Sequence, residues 1–244
     1  MSTVFPPEVA FKGAWRPYQA RVISQLEEHL DDRRLHVIAA PGSGKTILGL
    51  EAIFRLGKPA LVISPTLAIR DQWIQRFREL FFHGQSLPSW VAFDLRKPGL
   101  LTSTTYQALH MAYAGRGGSD TDDDESDGDT EAAQTPEETP GTPMGDELVA
   151  LLNKAGVETI VVDEAHHLRS EWWKTLTDVC GKLKNIRIVA LTATPPCDVT
   201  YQEWQRYQAF CGPVDEEITV PELVLDNNLC PHQDYVYLSA PTAA

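Results

Sequence analysis

Between an aliphatic run ending at Ala39 and a helical pattern starting at Ile47, the chain reads Ala39-Ala-Pro-Gly-Ser-Gly-Lys-Thr46. Strand, loop and helix in that order are what a phosphate site requires. The small residues Gly42, Ser43 and Gly44 let backbone amides approach phosphate oxygens, and the start of the following helix adds a dipole that favours an anion. Lys45 is placed to reach the terminal phosphates of a nucleotide, and the Thr46 hydroxyl to ligate magnesium. The general pattern begins with glycine where this chain has Ala39, so the match departs at one position. A Gly-rich turn joining strand to helix is the plain alternative.

The remaining chain repeats the alternation. Short β-branched runs at Leu35–Ala40, Ala60–Ser64, Leu100–Ser103, Thr159–Asp163 and Ile186–Leu191 read as strands. Helical patterns fall between them, at residues 45–56, 66–81, 105–113, 146–155 and 200–211. Tyr18, Val22, Leu26 and Leu30 recur at spacing four and predict a helix before the first strand. Trp172 and Trp173 lie in a further helical stretch, as core or interface aromatics. The fold expected is α/β, a mostly parallel sheet with helices on both faces. At 244 residues with 43% hydrophobic content, the chain suits one such domain with insertions.

Charge is distributed unevenly. The formal net charge is −13, but residues 115–147 hold twelve Asp or Glu and one Arg, which leaves only −2 for everything else. The stretch from Gly115 to Gly145 has no aromatic residue and reads as an acidic, disordered insertion. A nearly neutral body remains, on which a local basic groove for nucleic acid is possible. Cys180, Cys197, Cys211 and Cys230 have no metal-ligand spacing and read as reduced thiols. No apolar run approaches the roughly 20 residues that span a bilayer, and Pro6, Pro7 and Glu8 stand where a signal peptide needs an apolar region. The expectation is a soluble, cytoplasmic chain without a membrane partner.

A second chemical element closes the strand Thr159-Ile-Val-Val162, which ends abruptly in Asp163-Glu164-Ala165-His166. Two carboxylates at the end of a buried strand need a reason, because unpaired buried charge is costly. Magnesium supplies one: Asp163 would hold the metal, and Glu164 would orient and deprotonate an attacking water. A strand end followed by a helix cap with surface acids is the simpler reading.

Four further segments complete the pattern: Trp15-Arg-Pro-Tyr-Gln19, Ser64-Pro-Thr-Leu-Ala-Ile-Arg-Asp-Gln-Trp73, Thr102-Ser-Thr-Thr-Tyr-Gln107 and Leu191-Thr-Ala-Thr-Pro195. With the phosphate loop and the acidic pair, they resemble the superfamily-two helicases of the DEAD/DEAH-box kind, and within them the restriction-type and repair-type translocases. In that family Ala is the usual residue at the first loop position. The resemblance covers most of residues 15–196 outside the acidic insertion. It implies a RecA-like P-loop NTPase fold that binds ATP with Mg2+, and an ATP hydrolase activity driving a DNA helicase or translocase.

The resemblance also assigns roles. Arg16 and Gln19 belong to the adenine-reading element, and a glutamine amide suits an adenine edge because it offers one donor and one acceptor. Lys45 and Glu164 carry the chemistry. His166, Thr192 and Thr194 couple the nucleotide to the rest of the machine, the hydroxyls bonding His166 or Glu164. Thr66, Arg70, Thr104 and Thr105 are the nucleic-acid candidates, with DNA favoured over RNA; each threonine is equally suited to capping a helix.

The domain reading is an N-terminal helical segment over 1–34, a first RecA-like domain over 35–220 with its acidic insertion at 115–146, and the start of a linker or second motor domain over 221–244. That second domain, with its arginine finger, is expected to be missing from this chain, so weak turnover is expected. Two other readings stay open: a nucleotide-gated nucleic-acid-binding module acting with a partner chain, and a P-loop NTPase that is not a helicase.

Overall fold

The aliphatic runs form parallel strands that are buried on both faces. In the computed structural model, which describes residues 4–29, 32–82, 84, 86–115, 143–165, 168–196 and 199–231, they are β1 (Arg34–Ala39), β2 (Ala60–Ser64), β4 (Leu101–Thr105), β5 (Thr159–Asp163) and β6 (Arg187–Thr192). Every residue of β2, β4 and β5 is buried; β2 and β5 accordingly read as nearly continuous apolar or β-branched runs rather than as alternating ones, whereas β4 carries Thr102, Ser103, Thr104 and Thr105 into the interior. Two short strands complete the sheet, β3 (Val91–Ala92) and β7 (Glu216–Ile218). Neither was expected: β3 is too short to carry a pattern, and β7 opens with two glutamates.

The seven strands lie in the order β3-β4-β2-β5-β6-β1-β7, and all neighbouring pairs are parallel. Such pairs need crossover connections, which the helices supply. Before β1 come α1 (Pro17–Ser24) and α2 (Leu26–His29); then α3 (Lys45–Leu56), α4 (Leu67–Phe77), α5 (Tyr106–Ala114), α6 (Pro143–Ala155), α7 (Ser170–Lys182), α8 (Tyr201–Cys211) and α9 (Val220–Leu225).

Side chains alternate between the two faces of the sheet. Val62, Val161 and Val189 pack with Tyr18, Ile53, Trp73 and Phe77, from α1, α3 and α4. Their neighbours Leu61, Ile63, Ile160 and Val162 pack with Leu109, Leu152, Leu176 and Tyr207, from α5 to α8. Phe5 and Val9 near the start and Leu223 of α9 join the first of these cores, so residues from both ends share it with β1. The expected boundary between 220 and 221 falls within α9.

The helix expectations shift in two places. The stripe from Tyr18 is not one helix: the chain breaks at Gln25, although Tyr18, Val22 and Leu26 are all buried. After Phe77 the chain continues as a five-residue π-helical turn, Arg78–Phe82, and Phe77 stacks on Phe82 with centroids 5.7 Å apart. The wider turn suits that i, i+5 pairing.

Residues 116–142 of the expected insertion, together with His166 and His167, lie outside the described residues. Among the described residues no helix is long and apolar enough to cross a membrane. Cys180 and Cys211 are free and buried, and Cys230 is free and exposed.

Candidate nucleotide and metal site

The described candidate residues gather at the carboxyl edge of the sheet, where ligands of open parallel sheets bind. The phosphate loop leaves β1 there and enters α3 through Gly44, which caps the helix in the left-handed region at φ 89°. Three side chains, from α1 and its N-cap Arg16, brace the loop. Gln19 donates from Nε2 to the Ser43 carbonyl at 2.9 Å, and the Tyr18 hydroxyl donates to the same oxygen at 3.1 Å. Arg16 donates from Nη1 to the Gly42 carbonyl at 3.2 Å and to the Tyr18 hydroxyl at 2.8 Å. Oε1 of Gln19 accepts from the Arg16 backbone N–H at 3.2 Å, which also closes the first turn of α1. Arg16 and Gln19 are therefore placed at the loop, with the Gln19 amide bonded to protein groups on both its ends.

Lys45 and Glu164 meet although 119 positions separate them. The Lys45 Nζ lies 2.7 Å from Glu164 Oε1 and donates to the Ala39 carbonyl at 3.2 Å. Glu164 reaches it by taking a positive φ of 52°, an uncommon conformation for a residue with a side chain and one that recurs at functional sites. The other carboxylate oxygen, Oε2, accepts from the Thr192 hydroxyl at 3.2 Å and from the Ala193 N–H at 2.9 Å. The single Thr192 hydroxyl proton is shared between that carboxylate and the Thr194 carbonyl, which lies 2.7 Å away. Phosphate loop, acidic pair and threonine turn thus form one connected network. Thr192 joins it through its hydroxyl, whereas Thr194 is exposed and contributes its carbonyl. His166 lies outside the described residues.

Asp163 is only 5% exposed, and burial pushes its carboxyl up to about 6. The Trp73 indole N–H, donating to Oδ2 at 2.8 Å, and the nearby Lys45 oppose that shift, while Glu164 adds to it. The Tyr106 hydroxyl donates to the Asp163 carbonyl at 3.0 Å. A buried carboxylate at the strand end, next to a second carboxylate, fits a divalent cation that would offset both charges. Thr46 at the start of α3 would supply the hydroxyl such a site uses. Magnesium typically takes one or two protein ligands beside phosphate and water, so these residues fit it. Among the described residues no group of three or more His, Cys, Asp or Glu is gathered for an all-protein metal cage.

Trp73, Tyr106, Tyr18 and the Ala193 amide are the site residues that sequence reasoning passed over. All four stand inside the motifs given above, and for Trp73 a signal existed. A tryptophan on the apolar stripe with Ile74 and Phe77 must be buried, and a buried indole N–H needs an acceptor.

The nucleic-acid candidates flank this site at the ends of β2 and β4, whose register sets Ser64 beside Thr105. Thr66 caps α4 by accepting from the Ile69 N–H at 3.2 Å, and Thr105 caps α5 by accepting from the Ala108 N–H at 3.1 Å. Thr66 is exposed, while Thr104 and Thr105 are buried. Arg70 pairs with Asp71 at 2.9 Å, and its guanidinium lies 5.1 Å from the centroid of the Phe93 ring.

The chain is 40% identical over 65 residues to UvrABC system protein B of Thermus thermophilus, a match covering 26% of this chain and 10% of that protein. It is 34% identical over 100 residues to UvrABC system protein B of Dechloromonas aromatica, covering 36% and 14%. Among solved structures, the Hef helicase domain of Pyrococcus furiosus superposes with a TM-score of 0.52 at 19% identity, over 84% of this chain and 38% of that one. The Sulfolobus solfataricus SWI2/SNF2 ATPase core in complex with dsDNA gives 0.52 at 18% identity, over 85% and 38%. The UvsW helicase of bacteriophage T4 gives 0.50 at 14%, over 89% and 63%. The chain therefore spans a minor part of the UvrABC system proteins and less than two thirds of each of these structures. The structural likenesses establish the RecA-like fold, a single parallel sheet covered by helices. The model of the type III restriction enzyme res subunit matches residues 12–197, and the chain belongs to that family, as a first motor domain of the superfamily-two helicase type.

Proposed function

We propose that this chain is the ATP-hydrolysing first motor domain of a DNA helicase or translocase. The observation that carries the reading is the contact of Lys45 with Glu164, whose other oxygen is held by the Thr192–Ala193 turn. A phosphate ligand competes for Lys45, and what it releases is the carboxylate that is also bonded to the turn. Nucleotide state is thereby linked to the turn by two hydrogen bonds.

Arrival of ATP gives Lys45 a more highly charged partner than Glu164, with the amides of Gly42 to Thr46 cradling the phosphates. Thr46 and Asp163 would hold magnesium, which neutralises charge on the phosphates when bound. Glu164 then accepts the proton of a water whose oxygen bonds to the γ-phosphorus, as the bond from that phosphorus to the bridging oxygen breaks and ADP departs. In phosphoryl transfer an arginine finger adds roughly 10³ to 10⁵ in rate. In this fold it would come from a second motor domain. Residues 1–244 assayed by themselves should accordingly bind ATP and turn it over slowly. DNA as the partner is supported by the dsDNA in the structure of the Sulfolobus ATPase core and by the exposed Thr66 at the start of α4.

Calorimetric titration with magnesium and ATP tests the site. Lys45→Ala should abolish measurable binding, because the loop's charged contact to the phosphates goes. Glu164→Gln should bind like wild type yet lose about 10² to 10⁴ of its hydrolysis rate, the usual contribution of a general base. Undiminished binding by Lys45→Ala would exclude this loop as the nucleotide site.

A further inference from the structure

The structure assigns a positioning role to Trp73, as the donor that orients Asp163 for its metal; the inference rests on reading Asp163 as a magnesium ligand. The indole N–H bonds Asp163 Oδ2 at 2.8 Å, and the whole side chain is withdrawn from solvent. Trp73 belongs to α4, and Asp163 ends β5, 90 positions later. An indole is a donor with no acceptor atom. It can fix one carboxylate oxygen, it cannot compete for the cation, and it leaves Oδ1 as the oxygen for a metal.

The seat of the ring is built into the neighbouring helix. At Gly49 of α3, a Cβ would lie 2.4 Å from Trp73 Cη2 and 2.8 Å from Leu191 Cδ1. The helix carries glycine where the indole presses on it, and any larger residue there would have to displace the ring. On the opposite side, the Tyr106 hydroxyl holds the Asp163 carbonyl at 3.0 Å. The strand end is thus held from both faces of the sheet, its carboxylate from α4 and its backbone from α5. Second-layer donors of this kind tune metal affinity by about 10- to 100-fold in other metal sites.

The test measures what magnesium adds to ADP affinity. ADP is titrated by calorimetry into the chain once in excess magnesium and once in EDTA, for wild type, for Trp73→Phe and for a chain carrying β-(3-benzothienyl)alanine at 73. The last keeps the ring's shape and replaces the N–H by sulfur. Both altered chains should lose about tenfold of the affinity that magnesium adds, with metal-free ADP affinity unchanged. The benzothienyl chain should also keep the wild-type thermal midpoint. A magnesium gain equal to wild type in that chain overturns the proposal, and so does an equal loss with and without metal, which would mark a purely structural residue. If wild-type affinity for ADP ignores magnesium, the metal reading of Asp163 falls first, a result that needs no variant to recognise.

Discussion

Gly44 meets two requirements at one position. Its φ of 89° suits glycine, and a Cβ there would lie 2.5 Å from the Gln19 Nε2 that braces the Ser43 carbonyl. Gly44→Ala should therefore destabilise the chain by about 1 to 3 kcal/mol, the cost of a strained backbone residue, and weaken ATP binding as Gln19 is displaced. Urea denaturation gives the first quantity and calorimetry the second; a change below about 0.5 kcal/mol would show that the loop is not held in this form. Residue identities told where a phosphate loop and an acidic pair lie. They did not tell that Gln19 bonds the loop itself, nor that Glu164 adopts a positive φ to reach Lys45, because both depend on how α1 and β6 are set against β1 and β5.

Pairs of elements carry their own consequences. Trp73 of α4 presses on Gly49 of α3, so Gly49→Ala sets two effects against each other. Alanine favours a helix over glycine by about 0.5 to 1 kcal/mol, whereas overpacking a filled core costs about 1 to 3 kcal/mol. With the Trp73 indole 2.4 Å and Leu191 Cδ1 2.8 Å from the added Cβ, the second should win. A net loss of stability together with a weaker magnesium gain is expected, read by urea denaturation and ADP titration. A second pair joins β1 to α8. The buried His36 has Nε2 2.8 Å from the Tyr207 hydroxyl and Nδ1 3.2 Å from the Gly212 carbonyl, while Asp215 accepts from its backbone N–H at 2.7 Å. Burial lowers its pKa from the ordinary 6.5, against the opposing effects of the Gly212 carbonyl and the Asp215 charge. The unfolded chain then takes up a proton that the folded chain resists, so this stability is present above pH 6.5 and is lost as pH falls through the lower folded value. His36→Gln should flatten that part of the profile, seen as a smaller drop in the denaturation midpoint between pH 7.5 and 5.5 than wild type shows. Equal drops would remove His36 as the cause.

At the scale of the molecule, the acidic stretch interrupts the chain where its flanks already touch. A Cβ on Gly115 would lie 2.9 Å from Met144 Sδ, and one on Gly145 would lie 3.1 Å from the Tyr113 carbonyl, so the end of α5 and the start of α6 adjoin. Replacing residues 117–141 by a short Gly-Ser linker should leave fold and nucleotide affinity intact. It should raise stability by about 1 kcal/mol, since each halving of a loop returns roughly 0.6 kcal/mol; a lower thermal midpoint would count against this. The sequence by itself determined the α/β alternation, five of the strands and the residues of the phosphate loop and acidic pair, because burial on both faces and phosphate chemistry each restrict residue type locally. Tertiary structure alone decided the strand order, the short edge strands β3 and β7, and the partners of Lys45 and Asp163. Those depend on crossovers that bring together residues from 28 to 119 positions apart, and no local pattern records which buried indole or threonine will meet which carboxylate.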